Sequence, residues 1–342
     1  MIVRNENLPD ARAAMRAIQD RFNDQAKYPW ILLNDQYFNA EFKRHISSIV
    51  AGKNISLSFG KIDTDAWGYP WWIDVPRVEN GLEEDEHLSN YERARYQAGM
   101  FFHHPLFSNA EYAWRVDPGV LYTCTINEDP FSIMKKEKKK LGFVLTTKRD
   151  QTAIRSLWPT TISFIQKNSH WIKPINQTIM PWVTQNDDRQ YWHMQSSFEI
   201  IDLSFVRSEA YQAYFNYLDL TGGFFYEKWD DSIRTLAAAM FLNKNQIHFF
   251  DKIGYSKDDT SHCPFQSSYL QKCTCDLAKS HDISENSGTL DLLKYIAPTT
   301  FDSVVNFAQS KIPHNIKVDL RNTHVLKQVI KEKDQLSTFF KK

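Results

Sequence analysis

The stretch Pro29-Trp30-Ile31-Leu32-Leu33-Asn34-Asp35 decides the fold class of this chain. Its compact apolar run ends on two polar residues, which is typical of a buried strand. Upstream, the apolar pair Ile2-Val3 ends on Arg4-Asn5 and indicates another strand. Apolar residues at helical spacing lie between the two, over residues 11–22. Strand, helix and strand in this order predict a βαβ unit, and therefore an α/β fold.

The polar residues at these strand ends are the first candidates for ligand binding. Ligands of open α/β sheets lie beyond the carboxyl ends of the strands. Arg4, Asn34 and Asp35 are therefore placed where a nucleotide would be held. Asn and Asp are also common in turns, so a purely local role is the alternative interpretation.

Strands and helices continue to alternate along the rest of the chain. The apolar patterns predict helices over residues 91–102, 208–220 and 236–242, and strands over residues 111–116 and 247–250. An aromatic stretch runs from Trp67 to Trp72 and predicts a loop that lines a groove or covers a face. Glu199 stands between Phe198 and Ile200, where a carboxylate needs a partner or a function.

Length and charge limit the classes of function. The chain has 342 residues, 42% of them apolar, which is enough for one large domain or two smaller ones. Its 41 Lys and Arg balance 41 Asp and Glu, so no overall field favours nucleic acid or an anionic membrane. The basic run over residues 135–140 indicates a charged helical face. Beyond Cys275 the sequence becomes polar, so we predict a main domain over residues 1–275 and an extension over residues 276–342.

Three of the four cysteines, Cys263, Cys273 and Cys275, crowd one late segment and predict a local disulfide bond. A zinc site is less consistent with this spacing, because Cys273-Thr274-Cys275 lacks the two-residue gap of a zinc knuckle. Sequons at Asn54 and Asn176 permit a secretory location. No run of about 18 apolar residues and no signal pattern is present, so we expect membrane association only through an anchor upstream of Met1.

Many short runs in fixed order resemble one known family. The most specific is Gly-Gly-Phe-Phe-Tyr-Glu at residues 222–227, followed by Trp229. The others, in chain order, are Val3-Arg4-Asn5-Glu6, Asp20-Arg21-Phe22-Asn23, Trp30 to Asp35, Phe59-Gly60-Lys61-Ile62, Trp72-Ile73-Asp74, Trp114-Arg115-Val116-Asp117-Pro118, Asp129-Pro130-Phe131, Phe198-Glu199-Ile200, His248-Phe249-Phe250-Asp251, Gly254-Tyr255 and His262-Cys263-Pro264. On these runs the chain is similar, over residues 1 to about 275, to the fungal-type α-1,2-mannosyltransferases of glycosyltransferase family 15.

The resemblance implies a GT-A-like fold, in which a mixed central sheet is flanked by helices. It implies GDP-mannose as donor, Mn²⁺ as cofactor, and retaining transfer of mannose to a mannose-terminated glycan or glycoprotein. It also implies type II membrane association in the Golgi lumen. No nucleic acid is expected as a partner.

Residue roles are implied by the same resemblance. Asp117, in Asp117-Pro118-Gly119, takes the place of the family's acidic residue that binds metal and donor, with glycine in the second acidic position. Such a carboxylate suits Mn²⁺, which prefers oxygen ligands and offsets the charge on the leaving GDP. Lys61 belongs to a matching run and is a further donor-binding candidate. Glu199 takes the place of the family's proposed nucleophile, with a buried structural carboxylate as the alternative.

The acceptor side is implied less specifically. Asp231 and Glu227 are candidates for holding acceptor hydroxyls or for the base role. Trp229 suits stacking on a sugar face, although it equally suits the core, and Tyr226 lies in the same run. The family tyrosine near the acceptor falls at Asn90 or, with a slip of one residue, at Tyr91.

The chain departs from the family at several of these positions. Lys257 stands where the family has a metal-binding His, and a protonated lysine cannot bind Mn²⁺, although its ammonium can lie near the diphosphate. Asp258, Asp259 and His262 are alternative ligands. After Trp229 the chain is one residue shorter than the family's Gly-Asp-Ala-Pro-Val-His and lacks its His. A family cysteine near Ala94 is also missing, which predicts that Cys124 has no partner. Two hypotheses follow: a divergent mannosyltransferase, or a degenerate member that binds GDP-mannose or mannosides without turnover.

Overall fold

The computed structural model describes residues 1–81, 88–150, 155–185, 190–230, 232–312 and 317–331. The strands are β1 Trp30–Asn34, β2 Leu57–Lys61, β3 Tyr112–Val116, β4 Leu121–Tyr122, β5 Leu141–Phe143, β6 Thr146–Asp150, β7 Gln190–Met194, β8 Phe198–Asp202, β9 Ile247–Phe249, β10 Tyr255–Lys257 and β11 Thr260–His262. The longer helices are Leu8–Ile18, Ala40–Val50, Leu88–Gly99, Leu157–Lys167, Glu209–Asp219, Ile233–Phe241, Thr289–Ile296, Pro298–Gln309 and Thr323–Lys331. Shorter helices are Thr64–Trp67, Val75–Glu79, Pro130–Lys136, Met180–Val183, Leu203–Val206, Gly223–Tyr226 and Ser267–Leu270.

The N-terminal part confirms the predicted βαβ start: Ile2 forms a parallel bridge to Leu33 of β1, and helix Leu8–Ile18 lies between them in the chain. A second unit follows, in which β1 and β2 pair in parallel and helix Ala40–Val50 forms the crossover. The crossover helix begins where the Asn39 side chain accepts a hydrogen bond from the Phe42 amide. Its apolar face, which includes Phe42, is buried in the core.

The central sheet has the strand order β3-β8-β5-β9. Strands β3 and β5 both pair antiparallel with β8, whereas β5 and β9 are parallel. The sheet is therefore mixed, as predicted. Helices Glu209–Asp219 and Ile233–Phe241 belong to the large apolar core that also includes β5 and β8, and every residue of the second helix is buried. Ser208 accepts a hydrogen bond from the Tyr211 amide and thereby begins the first of these helices.

The late segment is held by two disulfide bonds. Cys263 pairs with Cys275, twelve residues away, which confirms the local bridge. Cys124 pairs with Cys273 across 149 residues, so the prediction that Cys124 lacks a partner is wrong. The partner comes from the C-terminal third instead of the helix near Ala94, because the turn after β4 lies beside this segment, where Cys124 and Cys273 also form a backbone bridge.

Several of the described residues beyond 275 pack on the main core. Leu290 and Leu293 of helix Thr289–Ile296 are fully buried in the same cluster as the central sheet. Asp282 accepts from the buried His262 ring, with 2.7 Å between Nδ1 and Oδ2. The boundary at 275 stays a prediction, but this part of the extension shares the interior of the domain. None of the helices in the described ranges has the length and apolar character needed to cross a bilayer.

Candidate active site

The predicted strand-end residues Arg4 and Asp35 meet at the mouth of a cavity. The Arg4 guanidinium donates two hydrogen bonds to the Asp35 carboxylate, at 2.9 Å from Nε and 2.6 Å from Nη2. The pair lines a cavity of about 430 Å³, whose other lining residues include Asn7, Trp67, Asn90 and Arg93. This volume falls within the range of small-molecule sites in proteins. The nucleotide position at Arg4 and Asp35 stays a prediction, for which this cavity has the volume.

Two other donor-binding candidates lie outside this cavity lining. Asn34 is fully buried, and its side-chain oxygen accepts from the Gln36 amide at 3.2 Å, which is the turn role that the sequence left open. Lys61 is exposed at the end of β2, with its ammonium 4.7 Å from the centre of the Tyr37 ring.

Asp117 directly follows β3 and contacts three cationic side chains. The Arg115 guanidinium donates to both carboxylate oxygens, at 3.0 and 2.9 Å. Lys257 Nζ lies 3.3 Å from Oδ2, and Arg93 Nη2 lies 3.6 Å from Oδ1. Gly119 follows with φ of 80°, a left-handed conformation that favours glycine.

The Asp117 carboxylate keeps its negative charge. Burial by itself raises the pKa of its carboxyl, but Arg115, Arg93 and Lys257 outweigh burial and hold the pKa well below the ordinary value. Asp117 is therefore ionised at any physiological pH, and its charge serves to hold the three cations.

These residues do not fit a divalent metal ion. Both Asp117 oxygens already contact cations, which repel a further positive ion. Within the described part of the chain, the grouping of potential ligands is Cys124, Cys273 and Cys275, all of them in disulfide bonds. His262 is not available, because its two ring nitrogens face Asp282 and the Asp251 carbonyl.

Glu199 lies on β8 directly opposite Arg115 of β3, which brings it close to the Asp117 cluster. It is 4% exposed and pairs with Arg234 of helix Ile233–Phe241, with 2.7 Å between Oε1 and Nε. Burial raises the pKa of the Glu199 carboxyl, while the Arg234 and Arg115 guanidinium groups oppose that rise. Arg234 also donates to the Gln97 carbonyl at 2.8 Å, near the end of helix Leu88–Gly99. Glu199 is thus ion-paired with a buried arginine. This contact fits the structural alternative, and the catalytic role of Glu199 stays a prediction.

The cavity beside Glu199 is small. Its volume is about 50 Å³, enough for about one or two water molecules, and Ile2, Leu33, Arg115 and Arg234 are among the residues that line it. A sugar ring does not enter without movement of these side chains. The predicted position of Glu199 beneath the anomeric carbon stays a prediction.

The acceptor-side candidates lie mostly in packing positions. Trp229 is 1% exposed and rests on Gly223, where a Cβ atom would collide with the indole ring. Glu227 accepts from the Trp229 indole at 3.2 Å and from the Ser156 amide at 2.8 Å. The most specific sequence motif is therefore explained here by packing, and the face of Trp229 is closed to a sugar.

The remaining acceptor-side candidates differ in how exposed their side chains are. Tyr91 is 7% exposed within the apolar core, whereas its neighbour Asn90 lines the 430 Å³ cavity. The Tyr226 ring is half-buried, with the Arg77 guanidinium 4.2 Å from its centre, and its hydroxyl accepts from the Asp74 amide. Asp231 lies outside the described residues.

Three arginines of this site were not among the residues predicted from the sequence. Arg115 had a usable signal, because it stands two residues before Asp117 on a strand and therefore shares its face. Arg234 lies in the run that departs from the family, but nothing local pairs it with Glu199. Arg93 had no signal, since its approach to Asp117 depends on how helix Leu88–Gly99 packs.

Known structures share this fold. The X-ray structure of the mannosyltransferase Ktr4p from Saccharomyces cerevisiae matches with a TM-score of 0.80 and 33% identity, covering 86% of this chain and 80% of that chain. Core-mannan synthase A from Aspergillus fumigatus, in a Mn/GDP form, matches with a TM-score of 0.74 and 30% identity, covering 80% and 77% of the two chains. The fold and the cleft therefore define a glycosyltransferase of the GT-A-like class.

The family itself is shown by the sequence comparison. The family model described as glycolipid 2-alpha-mannosyltransferase matches residues 1–297, and the chain belongs to this family. Among its relatives, the probable mannosyltransferase KTR3 of Saccharomyces cerevisiae is 37% identical over 291 residues, which span 81% of this chain and 71% of the relative.

Proposed function

We propose that this chain transfers mannose from GDP-mannose to the 2-hydroxyl of a terminal mannose and retains the anomeric configuration. The observation that carries the proposal is a chain of side-chain contacts that leads from the donor-side cavity to Glu199. The cavity that holds the Arg4 and Asp35 pair also includes Arg93, which contacts Asp117. Asp117 in turn binds Arg115, the cross-strand neighbour of Glu199.

In this arrangement the nucleotide lies against Arg4 and Asp35, and the sugar points toward the start of β8, where Glu199 lies. The bond between C1 of mannose and the phosphate oxygen breaks, the acceptor 2-hydroxyl oxygen bonds to C1, and the hydroxyl proton leaves with GDP. Glu199 supplies a fixed negative charge near the positive charge that develops at C1. Its ion pair with Arg234 opposes covalent attack, because a nucleophilic carboxylate must first leave that pair.

The description of the family, glycolipid 2-alpha-mannosyltransferase, supports transfer to a 2-hydroxyl. We infer a mannose-terminated glycan or glycoprotein as acceptor. A lumenal location in the secretory pathway is supported by two disulfide bonds, which form in oxidising compartments. The sequon residues Asn54 and Asn176 are both exposed, as a glycan requires.

The test is an assay of the purified chain with GDP-mannose and α-methyl mannoside, with the linkage of the product read by NMR. Glu199→Gln keeps the side-chain volume, and we expect it to lower kcat by about 100-fold or more. Glu209→Gln, at an exposed glutamate on helix Glu209–Asp219, is the matched control and should leave kcat unchanged. A wild-type chain that binds GDP-mannose but forms no disaccharide above the Glu199→Gln variant would establish the binding subunit instead.

A further inference from the structure

The cavity at the Arg4 and Asp35 pair contains one acidic side chain that has no role in the site described so far. The charged residues in its lining are Arg4, Glu6, Asp35 and Arg93. Arg4 and Asp35 are ion-paired at 2.6 Å, and Arg93 lies 3.6 Å from the Asp117 carboxylate. Glu6 is exposed, and within the described ranges its carboxylate forms neither a hydrogen bond nor an ion pair. It is therefore available to accept hydrogen bonds from a ligand.

The backbone that carries Glu6 is held in place. The side chain of Asn5, the preceding residue, donates to the Tyr37 carbonyl and accepts from the Asn39 amide, both at 3.0 Å. Glu6 follows in the short 3-10 helix Asn5–Asn7. Its carboxylate therefore lines the cavity from a fixed backbone, which lowers the cost of ordering this side chain when a ligand binds.

The charge of Glu6 limits how a nucleotide lies in this cavity. The hydrogen bond from Arg4 to Asp35 raises the pKa of the Arg4 guanidinium, and the nearby charges of Glu6 and Glu92 add to that rise. Glu92 is half-buried and does not belong to the cavity lining, whereas Glu6 does. A carboxylate repels phosphates and binds N–H donors. A nucleotide is therefore most stable here with its phosphates away from Glu6.

Guanine has the hydrogen-bonding pattern that suits a single carboxylate. Its N1–H and its 2-amino group are adjacent donors on one edge, and they match the two carboxylate oxygens in a bidentate arrangement. Adenine presents an acceptor nitrogen beside its amino group, and this nitrogen repels a carboxylate. Uracil has a single N–H between two carbonyl oxygens. A carboxylate in the base position therefore favours guanine over the other bases.

We propose that Glu6 selects the guanine base of the donor by accepting hydrogen bonds from N1–H and from the 2-amino group, while the diphosphate lies toward Arg93. The proposal rests on the function proposed above and names the residue that determines its nucleotide specificity. The Trp67 ring, which lines the same cavity, offers an apolar surface to the base.

The experiment is calorimetry on the full chain with GDP and with inosine diphosphate (IDP), in the presence of Mn²⁺. IDP lacks only the 2-amino group, so wild type should bind GDP about tenfold more tightly than IDP. Glu6→Gln should weaken GDP binding by about tenfold or more and should reduce the preference for GDP to less than about threefold. Glu41→Gln, at an exposed glutamate of helix Ala40–Val50, is the matched control and should leave both affinities unchanged.

The sign of the effect tests the orientation of the nucleotide. If Glu6 faced the diphosphate instead of the base, Glu6→Gln would tighten GDP binding, because a repelling charge is removed. Tighter or unchanged GDP binding by this variant, or equal affinity of wild type for GDP and IDP, overturns the proposal. Selection of guanine by Glu6 without mannose transfer leaves this inference standing and refutes the proposed function alone. Absence of GDP binding by wild type refutes both.

Discussion

The buried pair of Glu199 and Arg234 gives a quantitative prediction for Arg234→Met. The two side chains are 6% and 2% exposed, and 2.7 Å separates their nearest charged atoms. Removing the arginine leaves the buried Glu199 carboxylate without its hydrogen-bonded partner, for which we expect a loss of about 3–5 kcal/mol in the free energy of unfolding at neutral pH. The variant also loses the hydrogen bond to the Gln97 carbonyl, which further loosens helix Leu88–Gly99.

The pH dependence of this loss has a definite sign. Burial raises the pKa of Glu199 above its ordinary value of 4.5, and without Arg234 the rise is larger. A carboxyl whose pKa is raised in the folded state destabilises the fold at pH above the unfolded value. The loss in Arg234→Met should therefore be greatest at neutral pH and should shrink as the pH falls toward about 4.5, where Glu199 binds a proton.

Urea denaturation, followed by tryptophan fluorescence, measures the free energy of unfolding of wild type and Arg234→Met at neutral pH and at about pH 4.5. The double variant Glu199→Gln with Arg234→Met should recover a large part of the loss, because the buried charge is gone. Arg321→Met is the control for an exposed pair, since Arg321 and Asp302 are 71% and 50% exposed, and should cost less than about 1 kcal/mol. A loss in Arg234→Met of under about 1 kcal/mol, or one that is equal at both pH values, refutes the assignment of an ionised buried pair.

Three further predictions concern the disulfide bonds, the C-terminal extension and the donor cavity. Cys124→Ser opens a loop of 149 residues and should destabilise the fold by about 5 kcal/mol. Cys263→Ser opens a loop of 12 residues and should cost about 3 kcal/mol. Thermal unfolding that ranks the two variants in the reverse order contradicts this dependence on loop length. Burial lowers the pKa of His262, but Asp282 outweighs burial and holds that pKa above 6.5. Asp282→Asn should therefore lower the melting temperature most at pH below about 6.5. The difference in melting temperature from wild type should fade as the pH rises through the pKa of His262 in the folded state. Asp35→Asn removes the partner of Arg4 at the cavity mouth and should raise KM for GDP-mannose by about tenfold with kcat within about threefold; steady-state kinetics that show the reverse would place Asp35 outside donor binding.

Local sequence patterns predicted several of the strands and helices that surround the site. The apolar run over residues 29–33 is observed as β1, Trp30–Asn34, and the pattern over residues 208–220 is observed as helix Glu209–Asp219. These predictions succeed because strand alternation, helical periodicity and capping depend on residues that are neighbours in the chain. The position of Arg4 and Asp35 at one cavity follows from the same local rules, since adjacent parallel strands end at one edge.

The ion-pair partners of the catalytic candidates depend on tertiary packing. The role of Glu199 is set by Arg234, 35 residues away, and the role of Asp117 by Lys257, 140 residues away. The partner of Cys124 lies 149 residues away. No local pattern encodes such pairs, because they depend on strand register and on which helix faces which strand.

By itself, the sequence determined the family, the α/β class and the residues from which a donor site is built, since each follows from ordered motifs and short-range periodicity. Only the tertiary structure decided that Asp117 holds three cations and that Glu199 is bound by Arg234. The physical reason is that the charge state and accessibility of a side chain depend on its neighbours in space, and those neighbours come from distant parts of the chain.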